Sequence, residues 1–178
     1  MLAQVNDLNK ALHKNAAKYQ MVFVDDEPNI CKYFARLYKN LIPAKIVTCI
    51  RPKEALDYIK NNHQHIALVM VDELMPEMTG HELLDIVNHD YPEIFKLMSS
   101  VISSTDLKKT CDNIQINLPP IQKPWHPPDI AQIIITSLNY FVLQNDKILQ
   151  KELQKLDNYI FQSWLDNLNK YPNLTDDF

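Results

Sequence analysis

The chain has 178 residues but only one glycine and three cysteines. Cys31, Cys49 and Cys111 are odd in number and show no CxxC spacing, which argues against a disulfide framework and against a zinc site. Reduced thiols in a cytosolic protein are the simplest account. No apolar run approaches the roughly 18 residues that a membrane span requires. The first fifteen residues are polar with scattered leucines and lack the apolar core of a signal peptide. Positive charge is not in excess: the net charge is −4, so there is no general pull towards nucleic acid or anionic membrane. Lys108-Lys109 is too short a basic run for a nucleic-acid footprint. Internal repeats and low-complexity tracts are also missing.

What remains is a globular composition, 46% apolar and 22% charged, in a chain long enough for one domain with an appendage and a substantial core. Residues 2–18 have the period of an amphipathic helix through Leu2, Val5, Leu8 and Leu12. Tyr19–Val24 reads as a strand ending in Asp25-Asp26-Glu27, and Pro28 opens a helix, since its missing N–H is no loss in a first turn. Ala44–Cys49 is a second strand, followed by a helix from Pro52. His65–Asp72 is a third strand, with a helix from Gly80 to His89. Ile94–Ser100 gives a fourth strand, residues 104–113 a weakly specified helix, and Ile114–Leu118 a fifth strand. A long helical pattern then runs from Pro128 towards Leu168. Strands alternating with helices of this length imply a doubly wound, five-stranded parallel sheet of flavodoxin-like type. An N-terminal helix (1–18) precedes the sheet domain (19–140), and a C-terminal helical extension (141–178) follows it.

The stretch that organises the chain is Leu68–Gly80. An apolar run, suited to a strand buried on both faces, stops at Asp72, and a loop carrying Pro76 and Gly80 follows. Asp25 and Asp26 follow the first strand, Ser100 ends the fourth, and Lys123 comes after the fifth. In a parallel sheet those ends share one edge, where open α/β sheets bind ligands. Three carboxylates at one edge repel unless a cation neutralises them, and an oxygen-only set suits Mg²⁺. Such an ion would orient Asp72 as a nucleophile and neutralise an incoming phosphoryl group. Lys123 supplies a point charge for phosphate oxygens and Ser100 a hydroxyl.

These residues resemble the receiver domain of two-component response regulators. The resemblance covers residues 19–140 and rests on Val24-Asp25-Asp26-Glu27-Pro28, on Asp72–Gly80, on Ser100 and on Lys123-Pro124-Trp125. It implies that Asp72 is the phosphoacceptor, that Asp25 and Asp26 hold Mg²⁺, and that the Glu73 backbone carbonyl completes the metal site. Lys123 would contact the phosphoryl group, and Lys123-Pro124 would be a cis peptide. A sensor histidine kinase or phosphotransfer protein would be the donor, and the output would be protein–protein contact. A register shift of one residue would put Ser99 in the place of Ser100.

Two departures from the family pattern stand out. Val101 follows the assigned hydroxyl where the family has Ala or Gly, and its branched side chain would crowd the phosphoryl site. Pro120 stands three residues before Lys123 where the family has an aromatic. Trp125 reads as a packing anchor. A rival reading is an aspartate-nucleophile phosphatase of the haloacid dehalogenase type, which Asp25-x-Glu27 imitates loosely, and a third is a pseudo-receiver that only binds. In the extension, Ile135, Val142, Leu149 and Leu156 recur every seven residues, with Leu153 and Ile160 between turns. This partial heptad predicts either a homodimer seam or a helix packed on its own domain.

Overall fold

The computed structural model of the protein describes residues 2–102, 117 and 120–153. Helix α1 (Leu2–Ala16) leads into strand β1 (Gln20–Val24), helix α2 (Pro28–Tyr38), strand β2 (Lys45–Cys49) and helix α3 (Pro52–Asn62). A 3₁₀ turn (His63–His65) then precedes strand β3 (Ile66–Asp72), helix α4 (Gly80–Asp90) and strand β4 (Phe95–Ser100). Strand β5 is Ile121–Gln122, followed by helix α5 (Pro127–Asn145) and helix α6 (Lys147–Leu153). The five strands form one parallel sheet in the order β2-β1-β3-β4-β5. Strand order therefore reverses direction between β1 and β3, which opens a crevice at their C-terminal ends.

The central strands are apolar because both faces are covered. All seven residues of β3 are buried. On one face, Met21, Phe23, Leu68, Met70, Phe95 and Leu97 pack against α2 and α5. On the other, Val22, Val24, Val69, Val71 and Met98 pack against α3 and α4. Prolines open α2, α3 and α5 as the sequence predicts. Leu12 and Ala16 of α1 join the α2–α5 core, and α1 lies along α5. The side chains of Leu2, Val5 and Leu8 lie outside the described residues.

Two expectations need amendment. The fifth strand is Ile121–Gln122, paired with Ser99 and Ser100, rather than Ile114–Leu118. Of that predicted strand only Asn117 falls among the described residues, as a bend whose backbone N–H donates to the Lys96 carbonyl. The helix predicted at 104–113 lies outside them. The long C-terminal helix is also not continuous: Asp146 is extended (φ −116, ψ 94), and its Oδ1 accepts the N–H groups of Ile148 and Leu149, capping a new helix. Val142 and Leu149 of the heptad are buried in the chain's own core with Phe141 and Leu138. Leu156 and Ile160 lie outside the described residues.

Candidate functional site

Asp25 and Asp72 stand where β1 and β3 end, on either side of the strand-order reversal, and both are buried. The Lys123 ammonium bridges them, with Nζ 2.9 Å from Asp25 Oδ2 and 2.7 Å from Asp72 Oδ1. The remaining oxygens meet backbone donors: Asp25 Oδ1 accepts Glu27 N–H at 3.0 Å, and Asp72 Oδ2 accepts Leu74 N–H at 3.2 Å. Lys123 is delivered by the β4–β5 pairing, through its own N–H bond to the Ser100 carbonyl at 2.8 Å, and the Lys123-Pro124 bond is cis. Below the pair, the Cys31 thiol on α2 donates to the Asp25 carbonyl at 3.3 Å. Asp26 is half-buried, and Glu27 is exposed.

Burial sets the electrostatics. It raises the Asp72 pKa, and the hydrogen bond and charge of Lys123 reverse only part of that rise. For Lys123 burial favours the neutral amine, but the hydrogen bonds and charges of Asp72 and Asp25 prevail and its pKa is raised. Two buried carboxylates thus share one ammonium, which leaves negative charge uncompensated. The donor set is all oxygen and fits a hard divalent cation. As the side chains stand, no three His, Cys, Asp or Glu groups among the described residues converge on a common cation position. The ammonium takes the place between Asp25 and Asp72.

The loop after Asp72 is fixed by Glu73 and Gly80. Glu73 is buried; its N–H donates to the Ser99 carbonyl and its own carbonyl accepts Gly80 N–H at 2.9 Å. That carbonyl, expected as a metal ligand, is therefore already an acceptor within the fold. The Glu73 carboxylate accepts from His81 N–H at 2.9 Å and lies 2.6 Å from His81 Nδ1, a partner that sequence reasoning missed. Thr79 and Glu82 form a capping box at the start of α4, and this Thr-x-x-Glu spacing is legible in the sequence. Gly80 is required by close approach rather than by φ. A Cβ there would overlap the Asp72 carbonyl oxygen and come within 2.9 Å of Glu73 Cα.

The hydroxyl assignment turns on register. Asp72 pairs with Ser99, not Ser100. Leu68 and Met70 share a face with Phe95 and Leu97, so alternation puts Ser99 on the face of Asp72 and Ser100 on the other. Ser99 is fully buried and donates to the Val71 carbonyl at 3.4 Å, while Ser100 Oγ accepts Ile102 N–H at 3.0 Å. With Ser99 as the hydroxyl, the residue after it is the small Ser100. Val101 then no longer occupies the position expected to crowd the site. It is 63% exposed, and Leu74, beside Asp72, is 50% exposed.

The arrangement is thus a buried carboxyl group held beside an ammonium, at the mouth of a parallel sheet. No curated protein sequence matches the chain, but solved structures do. One is an uncharacterized protein from Neptuniibacter caesariensis, 26% identical, with TM-score 0.62 over 79% of this chain and 97% of that one. A CheY-like receiver domain protein from Methanospirillum hungatei is 21% identical, with TM-score 0.63 over 71% and 98%. The CheX–CheY–BeF3–Mg²⁺ complex from Borrelia burgdorferi matches at 23% identity, with TM-score 0.60 over 66% and 87%. Among the described residues no helix is long and apolar enough to cross a membrane. A sequence profile of the response regulator receiver domain matches residues 21–135, the span that carries Asp25, Asp72 and Lys123, and the chain belongs to that family of two-component signalling domains.

Proposed function

We propose that this chain takes a phosphoryl group onto Asp72 from the phosphohistidine of a sensor histidine kinase or phosphotransfer protein, with Mg²⁺, and signals by protein contact. The observation that carries the reading is the Lys123 ammonium held against both Asp25 and Asp72. A carboxylate oxygen of Asp72 forms the new bond to phosphorus as the bond to the donor imidazole nitrogen breaks. Lys123 holds phosphoryl oxygens, and because this chemistry asks mainly for position and charge, no separate general base is required. Asp25, Asp26 and Asp72 would hold Mg²⁺, which supplies the positive charge that one ammonium does not. We assign the switch hydroxyl to Ser99, the register partner of Asp72. The protein acts as a cytosolic phosphoacceptor rather than a turnover enzyme.

The test is labelling with acetyl phosphate and Mg²⁺, read by intact mass. Wild type gains one phosphoryl group, Asp72→Asn gains none, and Asp26→Asn labels poorly. Undiminished labelling of Asp72→Asn would reject the assignment. Mg²⁺ at about ten times its Kd should add about 1.4 kcal/mol to wild-type stability, and Asp26→Asn should lose most of that gain. A phosphomonoester should not be turned over; sustained turnover would favour a phosphatase.

A further inference from the structure

The Lys123 backbone is fixed on the edge of β4, but its four-carbon stem is not, and the ammonium has to be held at one point between two carboxylates. A third group touches it. Nζ lies 5.1 Å from the centroid of the Trp125 ring. That ring is itself immobilised, edge-on to Phe23 at 5.8 Å and 75° and to Phe34 at 5.8 Å and 77°. Phe23 and Phe34 stack on each other at 3.9 Å, nearly parallel. Phe23 is two residues before Asp25, and Phe34 lies on α2, whose Cys31 donates to the Asp25 carbonyl. The elements that place Asp25 therefore also place the ring.

The identity of the ring matters. Trp125 Nε1 is buried without a hydrogen-bond partner. Packing against Phe23 and Phe34 alone would be met by a phenyl ring, which carries no orphan donor. What indole adds is the strongest face for a cation among the aromatic side chains.

We propose that Trp125 is a positioning residue for the phosphoacceptor site: its face holds the Lys123 ammonium between Asp25 and Asp72, and it registers the ammonium's displacement when an anion binds. This rests on the phosphoacceptor reading above. The chain has Pro120 three residues before Lys123, and Trp125, two residues after it, is the aromatic in contact with the ammonium.

Trp164 is the second tryptophan of the chain, so a Trp164→Phe background leaves Trp125 as the sole indole emitter. Adding MgCl₂ and beryllofluoride to that protein should change the Trp125 emission as the ammonium turns to the bound anion. Labelling of Asp72 by acetyl phosphate should fall about fivefold in Trp125→Leu, equivalent to about 1 kcal/mol, and about twofold in Trp125→Phe, which keeps a weaker ring face. Trp125→Phe should meanwhile keep its thermal midpoint, since it loses the orphan N–H along with some packing. Leu138→Ala, a core lesion on α5, should lower the midpoint and still label at the wild-type rate.

Labelling of Trp125→Leu at the wild-type rate, in a preparation whose wild type is labelled on Asp72, would overturn the proposal. So would unchanged Trp125 emission in a protein that beryllofluoride demonstrably stabilises. If Trp125→Leu does not fold, the Trp125→Phe rate and the emission decide. Wild type that is not labelled at all would instead remove the reading beneath the proposal, and the proposal with it.

Discussion

Asp72 keeps a raised proton affinity although the Lys123 ammonium stands 2.7 Å from its Oδ1. Lys123 is shared with Asp25, and Asp25 lends Asp72 a repelling charge that partly offsets the attraction. An acid whose folded pKa lies above its unfolded value is bound to its proton more tightly in the folded chain. Its contribution to stability is complete below the unfolded value and is lost as pH rises through the folded one. At neutral pH the Asp72 carboxylate therefore burdens the fold. Asp72→Asn should be more stable than wild type at pH 7 while being unable to accept phosphate. That advantage should shrink as pH falls towards 3.8, the ordinary aspartate value. Urea denaturation of both chains at several pH values measures it, and an Asn variant less stable than wild type at pH 7 would contradict the balance of charges described here.

Much of this site was legible in the chain because strand ends leave strong marks. An apolar run that halts at Asp72, and the prolines at Pro28 and Pro52, fix β3, α2 and α3 with little ambiguity. The two-residue β5 has no period to read, so the longer apolar stretch before it drew the assignment instead. Ser99 and Ser100 are chemically alike, and only pairing with Asp72 distinguishes them. Val142 and Leu149 show the same seven-residue spacing whether they face a partner or their own domain. Lys96 is buried because both faces of β4 are covered, which a strand assignment alone does not reveal. Glu73 and His81 lie eight residues apart across a loop, a distance that leaves no pattern.

The single glycine should be intolerant of the smallest change. Alanine at an ordinary helix position gains about 0.5–1 kcal/mol over glycine. At Gly80 the added methyl meets the Asp72 carbonyl oxygen and the Glu73 backbone. Overpacking of this kind loses about 1–3 kcal/mol, so Gly80→Ala should be destabilised despite its better helix propensity. The shift falls on the Asp72 backbone, so labelling should slow as well. Chemical denaturation checks the first effect and the acetyl phosphate rate the second; a stabilised Gly80→Ala would show that the loop yields freely.

Leu149 tests what the C-terminal helices do. Its side chain is 8% exposed and sits in a cluster with Phe141 and Val142. Removing it opens a cavity within one chain, so Leu149→Ala should lose about 2 kcal/mol or more with no change in molar mass by light scattering. A variant of wild-type stability but halved mass would show instead that this residue belongs to a seam between copies.

Lys96, opposite Val69 on the neighbouring strand, provides the last test. It sits on β4, 2% exposed, and its Nζ donates to the carbonyls of Pro92 at 3.0 Å and Ile94 at 2.6 Å. Burial pulls its pKa from 10.5 to about 8, against a small opposing effect of the Glu93 charge. Below pH 8 the lysine is charged in both folded and unfolded chains, and the fold carries the full burden of the buried ammonium. That burden is at most about 3.5 kcal/mol, at roughly 1.4 kcal/mol per pKa unit. Between pH 8 and 10.5 the unfolded chain binds more protons at this site, so the site's contribution rises with pH. Cys31 and Cys49 oppose it: burial raises their thiols from 9.0 to about 11 and about 12, so their contribution falls once unfolded thiols ionise near pH 9. Comparing wild type with Lys96→Met cancels the cysteines, which both chains share. Lys96→Met should be the more stable at pH 7, by less than the full burden because two carbonyls lose their donor. Its advantage should shrink by about 1 kcal/mol by pH 9. Urea denaturation at the two pH values decides the matter, and an advantage that stayed constant would mean that the Pro92 and Ile94 carbonyls hold the ammonium charged well above pH 9.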